Sequence, residues 1–341
     1  MCSEKRSACA GPRAPVRLDL DRIRSAVSRI APVFRNTPQY VCPPLGEALG
    51  CELILKLETA NPIRCFKGRG TETVMARLAD SGARAAVCAS AGNLGQALAY
   101  SGRSRGISTT VVAGSGANPY KLERIRALGA TVRIVDGDIE AARRLARQIA
   151  DSEGAFLVED SENIDTCEGA GTIGLELLEG VGPIDAVLVA LGGGAMATGV
   201  GYVFKRLAPR VEIVAVQPRG APAMALSWRA GSIVETDRTD TIADGVAGRF
   251  PIPAVLDDLL VVADHVALVE EDSIIAGMRM LYRRAGLIVE PSAALGVAAI
   301  LEDPSRYAGK RVATIICGGN VIPADFERWV TEGVSRASTA C

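Results

Sequence analysis

The stretch DAVLVALGGGAMATG, residues 185–199, joins a short apolar run to three consecutive glycines and the start of a helix-like segment. Glycines without a Cβ let backbone N–H groups point at one spot, and at a helix N-terminus such a spot attracts a phosphate. A tight turn with close helix–strand packing is the alternative, but three glycines exceed what that turn needs. The stretch therefore predicts a strand, a phosphate-binding loop and a helix.

The same alternation continues along the rest of the chain. ELILKLE, AAVCAS, STTVVAG and VEIVAVQP are strand-like and mostly apolar, and each precedes a helix-like segment. Such strands, separated by amphipathic helices, are typical of parallel sheets covered by helices on both faces. We therefore predict an α/β fold with parallel twisted sheets. Because these sheets bind ligands at the carboxyl ends of their strands, the strand-to-helix turns are the places to search.

Composition excludes several classes of function. The chain has 341 residues and a net charge of −1, so it lacks the basic surface that nucleic-acid binding needs. No apolar run is long enough to span a membrane, and the first 20 residues, which lack the apolar core of a secretory signal, are interpreted as a flexible tail. Nine scattered cysteines without a CxxC pair indicate reduced thiols in a cytoplasmic protein.

A single histidine limits the chemistry further. His265 lies in the run LLVVADHVALVE, which we interpret as a strand, and it is the only histidine of the chain. Histidine-based catalytic triads and multi-histidine metal sites are therefore nearly excluded. In an enzyme of this composition, proton transfer falls to other side chains or to a cofactor.

Three further turns carry unusual residues. IRCFKGRG (63–70) places Phe66 and Lys67 before two glycines, SAGN (90–93) opens a helix, and CGGN (317–320) puts a thiol at a strand end. Alone, SAGN reads as a serine N-cap and CGGN as a buried cysteine. Together with the glycine loop, they match the needs of pyridoxal 5'-phosphate: a phosphate cradle, a Schiff-base lysine and partners for the ring nitrogen and phenolic oxygen. We therefore predict Lys67 as the Schiff-base lysine.

The glycine loop also permits another class of enzyme. Gly192, Gly194 and Ala197 fit the relaxed dinucleotide fingerprint GxGxxA, which requires an acid near the end of the next strand to hold the ribose. That strand, VEIVAVQP, carries Gln217 instead. A nicotinamide-dependent oxidoreductase therefore stays an alternative rather than the preferred interpretation.

The chain resembles the serine/threonine dehydratase and serine racemase family of pyridoxal-phosphate enzymes, which have the tryptophan-synthase-β-like fold (fold type II). The resemblance runs from about residue 38 to 329 through KLETANPIRCFKGRG, SAGNLGQALAYSG, EGAGTIGLEL, VALGGGAMATG, TIADGVAG, LIVEPSAALGVAAI and ICGGN, in that order. It implies a large cofactor-binding domain formed by residues 21–84 and 163–335, with a smaller domain of residues 85–162 inserted. It also implies a homodimer that acts on a small amino acid.

The resemblance implies a role for each of thirteen residues. Lys67 would hold the cofactor and act as the base at Cα, and Phe66 would pack beside the ring. Asn93 would bond the phenolic oxygen, and Cys317 would face the pyridine nitrogen. The phosphate would be held by Gly192, Gly193, Gly194, Ala195 and Met196, and the substrate by Ser90, Ala91, Gly92 and Leu94.

The implied reaction is α,β-elimination from a β-hydroxy amino acid of the serine or threonine type, which gives a 2-oxo acid and ammonia. A neutral thiol at Cys317 would not hold a proton on the pyridine nitrogen as a carboxylate would. The weaker electron sink that results favours elimination over transamination. Because one fold supports several reactions, β-replacement and a catalytically inactive paralogue stay open.

The chain departs from the family pattern in its substrate-facing turns. Cys65 and Leu94 stand where the family has the serine of SFK and the histidine of SAGNH. Leu94 removes a polar group from the expected substrate pocket. Ala91 stands where racemases have a serine as the second base, so racemisation is not expected.

Two further departures concern charge. Gln217 and Ala223 stand where relatives with a divalent-cation site have acids, so no metal site is expected. The segment VEDSENIDTCEGAG is also more acidic than its family counterpart. Its acids are interpreted as a solvated loop or, alternatively, as a selector for a cationic substrate: Glu159, Asp160 and Glu162.

Overall fold

The structure, a computed structural model, describes residues 15–331, and its ten strands form two sheets. The strands are β1 (Gln39–Val41), β2 (Glu52–Leu57), β3 (Ala85–Ala89), β4 (Ser108–Gly114), β5 (Thr131–Val135), β6 (Phe156–Leu157), β7 (Ala186–Ala190), β8 (Glu212–Pro218), β9 (His265–Val269) and β10 (Arg311–Ile316). The larger sheet has the order β1–β2–β10–β7–β8–β9 and the smaller one β5–β4–β3–β6.

Every neighbouring pair of strands is parallel except β1 with β2. The predicted α/β fold with parallel sheets is therefore confirmed. The strands of the smaller sheet fall within the segment 85–162 that was predicted as an inserted domain. The exact domain boundaries stay a prediction.

Helices connect the strands and cover the sheets. They are α1 (Leu20–Arg29), α2 (Pro43–Leu49), α3 (Lys67–Asp80), α4 (Asn93–Arg105), α5 (Pro119–Ala127), α6 (Ile139–Glu153), α7 (Ile164–Gly180), α8 (Ala195–Leu207), α9 (Ala223–Ala230), α10 (Pro253–Val262), α11 (Glu271–Ala285), α12 (Leu295–Glu302), α13 (Pro304–Tyr307) and α14 (Pro323–Phe326). Several of them end at a glycine in the left-handed region, as at Gly231, where φ is 70°. Within residues 15–331, no helix is long and apolar enough to cross a lipid bilayer.

One predicted strand is partly helical. The run LLVVADHVALVE divides between α10, which ends at Val262, and β9, which begins at His265. Helix α10 is buried around most of its circumference, so its sequence lacks the amphipathic period that would mark it as a helix. His265 is half-buried at the start of β9, and burial lowers its pKa, with a further contribution from the charge of Arg306.

Of the predicted flexible tail, residues 1–20, the first 14 residues lie outside the described residues. Its last part is anchored rather than free. The backbone N–H and the Nε of Arg17 donate to the Asp258 carboxylate at 2.9 and 2.8 Å, and Leu18 is buried. Helix α1 then begins at Leu20, with the Asp19 carboxylate accepting from the Arg22 N–H at its N-terminus.

Helix α7 brings the starts of α3 and α8 close together. A Cβ on Gly169 of α7 would lie 2.5 Å from the carbonyl oxygen of Arg69 in α3. A Cβ on Gly199 of α8 would lie 2.1 Å from the carbonyl oxygen of Cys167 in α7. Only glycine permits these approaches, so the glycines of EGAGTIGLEL and AMATG set the spacing of the helices that carry Lys67 and the glycine loop.

The cysteines inside the described residues are all free and buried: Cys42, Cys51, Cys65, Cys88, Cys167 and Cys317. Burial raises the pKa of Cys88 to about 12 and that of Cys167 to about 11, so both thiols are neutral near pH 7. Cys2, Cys9 and Cys341 lie outside the described residues. The described thiols therefore behave as small core residues, as their scatter along the sequence suggested.

Candidate active site

The four strand-to-helix turns meet at one cavity of about 530 Å³. Three of them follow β2, β7 and β10 of the larger sheet, and the fourth follows β3 of the smaller sheet. The structure brings all thirteen predicted site residues to this cavity: Phe66, Lys67, Ser90, Ala91, Gly92, Asn93, Leu94, Gly192, Gly193, Gly194, Ala195, Met196 and Cys317. Their individual roles stay predictions.

Lys67 is the first residue of α3 and points its amine into the cavity wall. Its Nζ lies 2.5 Å from Oδ2 of Asp160 and 4.6 Å from the centroid of the Phe66 ring. The Lys67 side chain is 16% exposed, so it is sheltered but reachable. A primary amine in such a position can attack the carbon of a carbonyl group in the cavity.

A buried network of charges fixes the start of α3 beneath Lys67. The Arg69 guanidinium donates to two carboxylates. Its Nε and Nη2 each lie 2.8 Å from the Glu58 carboxylate, and its Nη1 and Nη2 lie 2.7 and 2.8 Å from the Glu176 carboxylate. Lys56 Nζ adds a contact of 2.5 Å to Glu176. Burial lowers the pKa of Lys56 despite the attraction of Glu176. Because a fully buried guanidinium must keep its partners, Arg69 clamps the turn that carries Lys67 to the larger sheet.

The glycine loop leads directly into α8, a helix of 13 residues. Gly194 is its N-cap, with a φ of 106° that side chains rarely adopt, and a Cβ there would lie 2.4 Å from Cγ1 of Val255. No side chain of the loop caps the helix. The loop and the partly positive end of α8 therefore face the cavity together, which is the arrangement that binds phosphate groups.

Ser161 supports the same loop and was not identified from the sequence. Its Oγ accepts a hydrogen bond from the N–H of Ala195 at 3.0 Å, and its N–H donates to Oγ1 of Thr166 at 2.9 Å. Its backbone has a φ of 67°, in the left-handed region where a serine is uncommon. No sequence signal marks this conformation, because serine occupies ordinary turns far more often.

The SAGN turn does not have the serine N-cap that its sequence alone suggested. The N-cap of α4 is Gly92 and not Ser90, whose Oγ instead accepts from the Gly92 N–H at 3.2 Å. Helix α4 therefore begins at Asn93 without a side-chain cap. Gln96, one turn further along, is fully buried and lines the cavity with no hydrogen-bond partner for either amide atom.

Glu290 is the most buried acid of the cavity, and the sequence analysis did not single it out. Its carboxylate accepts from Nδ2 of Asn93 at 2.8 and 3.1 Å and from the backbone N–H of Asn320 at 3.1 Å. Burial raises its pKa, although the hydrogen bond from Asn93 opposes this. An acid in the otherwise apolar run LIVEPSAALG was the available signal.

Cys317 closes one end of the cavity. Its side chain is buried, and its carbonyl oxygen accepts from the Phe66 N–H at 2.9 Å. Burial raises the pKa of the thiol well above its ordinary value, and the charge of Glu290 adds to the effect. The group is therefore a neutral thiol at neutral pH, whichever ligand atom it meets.

The acidic segment after β6 separates into two parts. Glu159 pairs with Arg147 at 2.8 Å, and Glu162 is exposed, as expected for a solvated loop. Asp160 instead lines the cavity and contacts Lys67. The solvated-loop interpretation is therefore wrong for Asp160. Elsewhere, Gln217 is buried with its Oε1 accepting from the Ala225 N–H at 2.9 Å, and the absence of a metal site stays a prediction.

Comparisons with known proteins agree with this geometry. A protein-family model described as "Pyridoxal-phosphate dependent enzyme" matches residues 30–318. Serine racemase of Oryza sativa subsp. indica is 33% identical over 312 residues, which cover 89% of this chain and 91% of that protein. L-threonine ammonia-lyase of Thermotoga maritima is 31% identical over 322 residues, covering 94% and 80%. The structure of maize serine racemase superposes with a TM-score of 0.86 at 31% identity, covering 91% of this chain and 96% of that one.

Proposed function

We propose that this chain, which belongs to the family of pyridoxal-phosphate-dependent enzymes, catalyses α,β-elimination from a β-hydroxy amino acid of the serine or threonine type. The products are a 2-oxo acid and ammonia. The observation that carries the proposal is the convergence of Lys67, the glycine loop and the neutral thiol of Cys317 on one cavity. Family membership sets aside the nicotinamide interpretation of GGGAMA.

The residues present fit the cofactor. Polar atoms without a hydrogen-bond partner are costly when buried, and the cavity collects several of them. They belong to Gln96, Asp160, Ser292 and Asn320. Gly192–Met196 would hold the phosphate, Lys67 the aldehyde, Asn93 the phenolic oxygen and Cys317 the ring nitrogen. When bound, pyridoxal phosphate supplies an electrophilic carbon for amines and a sink for the electron pair left at Cα.

Lys67 then performs two tasks. It would hold the cofactor aldehyde in the resting enzyme, and its amine would accept the α-proton of the substrate. The turn Ser90–Gly92 orients the substrate carboxylate at the start of α4. Ala91 has no proton-transferring group, so the face it lines offers no second base at that position, which favours elimination over racemisation. The similarity to an L-threonine ammonia-lyase supports the same direction.

The experiment that tests the function begins with the absorption spectrum of the purified protein. A Schiff-base band should be present in the wild type and absent from Lys67→Ala. Borohydride reduction followed by peptide mapping should place the label on Lys67 and not on Lys121, the other lysine of the cavity. Release of 2-oxo acid and ammonia from serine or threonine, without an added nucleophile, would separate elimination from β-replacement.

Absence of 2-oxo acid from a correctly loaded protein would overturn the elimination proposal. Label on Lys121 would overturn the role of Lys67. We further expect a cytoplasmic homodimer in which residues 85–162 form the smaller domain. Sedimentation analysis tests the dimer, and limited proteolysis near residues 84 and 163 tests the boundaries.

A further inference from the structure

Asp160 has an unusual position for an acid in this site. Its Oδ2 lies 2.5 Å from the Lys67 amine, whereas its Oδ1 is buried and has no hydrogen-bond partner. It also lines a small recess beside Lys67, whose other walls include the apolar side chains of Phe66 and Leu94 and the hydroxyl side chains of Thr71 and Thr166. The Asp160 side chain is 24% exposed, so its charge is only partly screened by water and attracts an opposite charge in the cavity more strongly than a fully solvated carboxylate would.

The backbone at Asp160 is fixed by its neighbour. Ser161 is fully buried, and its carbonyl oxygen accepts from the Cys167 thiol at 3.4 Å and from the Arg17 guanidinium at 3.3 Å. Its N–H and Oγ are also engaged, as described above. Asp160 is therefore held in the wall by a rigid turn and is not the tip of a mobile loop.

Among the described charges around Asp160, Lys67 is the cation that neutralises it. An adjoining cavity of about 470 Å³ shares the wall that contains Asp160 and Leu94. Across both cavities, carboxyl groups outnumber cationic side chains among the described residues. The cations other than Lys67 are already paired: Lys121 with Asp244, Arg143 with Glu140, and Arg147 with Glu159.

Lys67 cannot neutralise Asp160 throughout the proposed reaction. An ammonium group offers three N–H donors, and a Lys67 nitrogen that holds the cofactor aldehyde would keep at most one. To accept the α-proton, Lys67 must also be unprotonated when the substrate is in place. At that stage, Asp160 would lack the one cationic partner that it has among residues 15–331, and its Oδ1 would still have none there.

We infer that the substrate supplies the missing cation: the site takes α-amino acids whose β-substituent is an ammonium group, in preference to those with a neutral hydroxyl group, with Asp160 as the residue that selects them. The inference rests on the proposed elimination. The alkyl part of such a substrate would lie against Leu94, where a histidine would add competing polarity. An anionic side chain would be repelled by Asp160 and by the excess of carboxyl groups around it.

The chemistry balances without any added reagent. Lys67 takes the α-proton, the bond from Cβ to nitrogen breaks, and nitrogen leaves with the bonding pair as neutral ammonia. A β-hydroxyl group must receive a proton to leave as water, whereas a β-ammonium group already carries the proton it needs. For 2,3-diaminopropionate, the sum of elimination and hydrolysis is one amino acid and one water giving one pyruvate and two molecules of ammonia.

The test compares kcat/KM of the holoenzyme for 2,3-diaminopropionate, serine and threo-3-hydroxyaspartate, which carry a cationic, a neutral and an anionic side chain. The wild type should follow that order. In Asp160→Asn, the ratio of kcat/KM for 2,3-diaminopropionate to that for serine should fall by about tenfold or more. In the control Asp151→Asn, which alters an exposed acid that lines neither cavity, the ratio should stay within about twofold. An unchanged ratio in Asp160→Asn would overturn the inference.

A binding measurement keeps the charge preference testable if turnover fails or if Asp160→Asn does not fold. The change in cofactor absorbance gives dissociation constants of the wild-type holoenzyme for 2,4-diaminobutyrate, homoserine and aspartate, which lack a β-leaving group. Tightest binding of the diamino acid supports the inference even if no substrate is eliminated, in which case only the proposed function fails. Equal binding of the three, or a preference for aspartate, overturns the inference while elimination from serine can still stand.

Discussion

The side-chain amide of Asn93 donates to both carboxylate oxygens of Glu290, at 2.8 and 3.1 Å. Asn320 completes the arrangement, because its Nδ2 donates to Oδ1 of Asn93 at 2.7 Å. Both ends of the Asn93 amide are thus fixed by residues that lie 197 and 227 positions away in the sequence. The orientation of Asn93 in the cavity is therefore set by the turn after β10 of the larger sheet and by Glu290, whose N–H donates to Gly318 of that turn, although Asn93 itself follows a strand of the smaller sheet.

Glu290→Gln should weaken cofactor binding by acting through Asn93. A glutamine places an NH2 group where one carboxylate oxygen now accepts a hydrogen bond, so whichever way its amide is turned, a bond from Asn93 is lost. The loss of one charge-assisted bond costs about 1.5–3 kcal/mol. Asn93→Ala should have a similar effect, and the double variant should be no weaker than the weaker single variant. Titration of the apoenzymes with pyridoxal phosphate measures the affinity of each variant for the cofactor.

Additive losses of affinity would show that the two residues act independently. Glu302→Gln, which alters an exposed acid, is the control.

Gly194→Ala should lower both stability and cofactor affinity. The substitution combines a φ of 106° with a Cβ only 2.4 Å from the stiff side chain of Val255, a combined cost of about 3 kcal/mol in the free energy of unfolding. Gly231→Ala separates the two effects, because its φ is 70° but nothing lies within 4 Å of the new Cβ. That variant should lose about 1 kcal/mol and keep full cofactor affinity. Urea unfolding and cofactor titration are the measurements, and equal losses in both variants would contradict the steric argument.

The buried network around Glu176 should make stability depend on acid pH. Burial alone would raise the pKa of Glu176, but the hydrogen bonds and charges of Arg69 and Lys56 lower it from 4.5 to about 2. A lowered pKa stabilises the fold where the group is ionised in both states, above about pH 5. The contribution, about 3 kcal/mol, is lost as the pH falls from about 5 to 2.

Urea unfolding of the wild type and Glu176→Gln between pH 7 and pH 3 checks this dependence. The glutamine variant should be less stable at pH 7, and the difference from the wild type should shrink as the pH falls. Glu153→Gln removes a half-exposed partner of Arg133 and should change stability by less than about 1 kcal/mol at every pH. A constant difference for Glu176→Gln across the range would exclude the linkage.

Cys317→Ser and Cys317→Asp should separate a neutral partner of the ring nitrogen from a charged one. Serine keeps the group neutral, so 2-oxo acid release should stay within about fivefold of the wild type if the cavity tolerates the swap. Aspartate would favour a proton on the nitrogen, which strengthens the electron sink and diverts the reaction, and elimination should fall by about tenfold or more. Steady-state release of 2-oxo acid measures both. Full activity of Cys317→Asp would show that the nitrogen does not face this residue.

Much of the fold was predictable because its signals are local. Apolar strands, amphipathic helices and glycines at turns are each written in fewer than twenty consecutive residues, and the carboxyl ends of parallel strands bring the turns together. Lys67, Asn93, the glycine loop and Cys317 were therefore located from the sequence at one cavity. Helix α10 was misread for a local reason as well, because burial on most sides removes the period that distinguishes a helix from a strand.

The rest depends on contacts between distant segments. Asp160 contacts a lysine 93 positions earlier, and its acidic neighbours made it look like part of a solvated loop. Glu290 and Gln96 lie in apolar or small-residue runs, where their burial could not be inferred without the opposing sheet. Ser161 depends on a backbone conformation that its residue type does not favour. Each of these residues modifies the site through tertiary geometry, which no short window of sequence contains.

The buried thiols of the described residues can also be used to detect local opening of the structure. Cys88 belongs to the smaller sheet, Cys42 and Cys51 flank strands of the larger one, and Cys317 borders the cavity. An alkylating reagent can modify such a thiol only when its surroundings separate from it. The order in which mass spectrometry finds these positions labelled would therefore show which sheet loosens first, and whether the cofactor delays the labelling of Cys317.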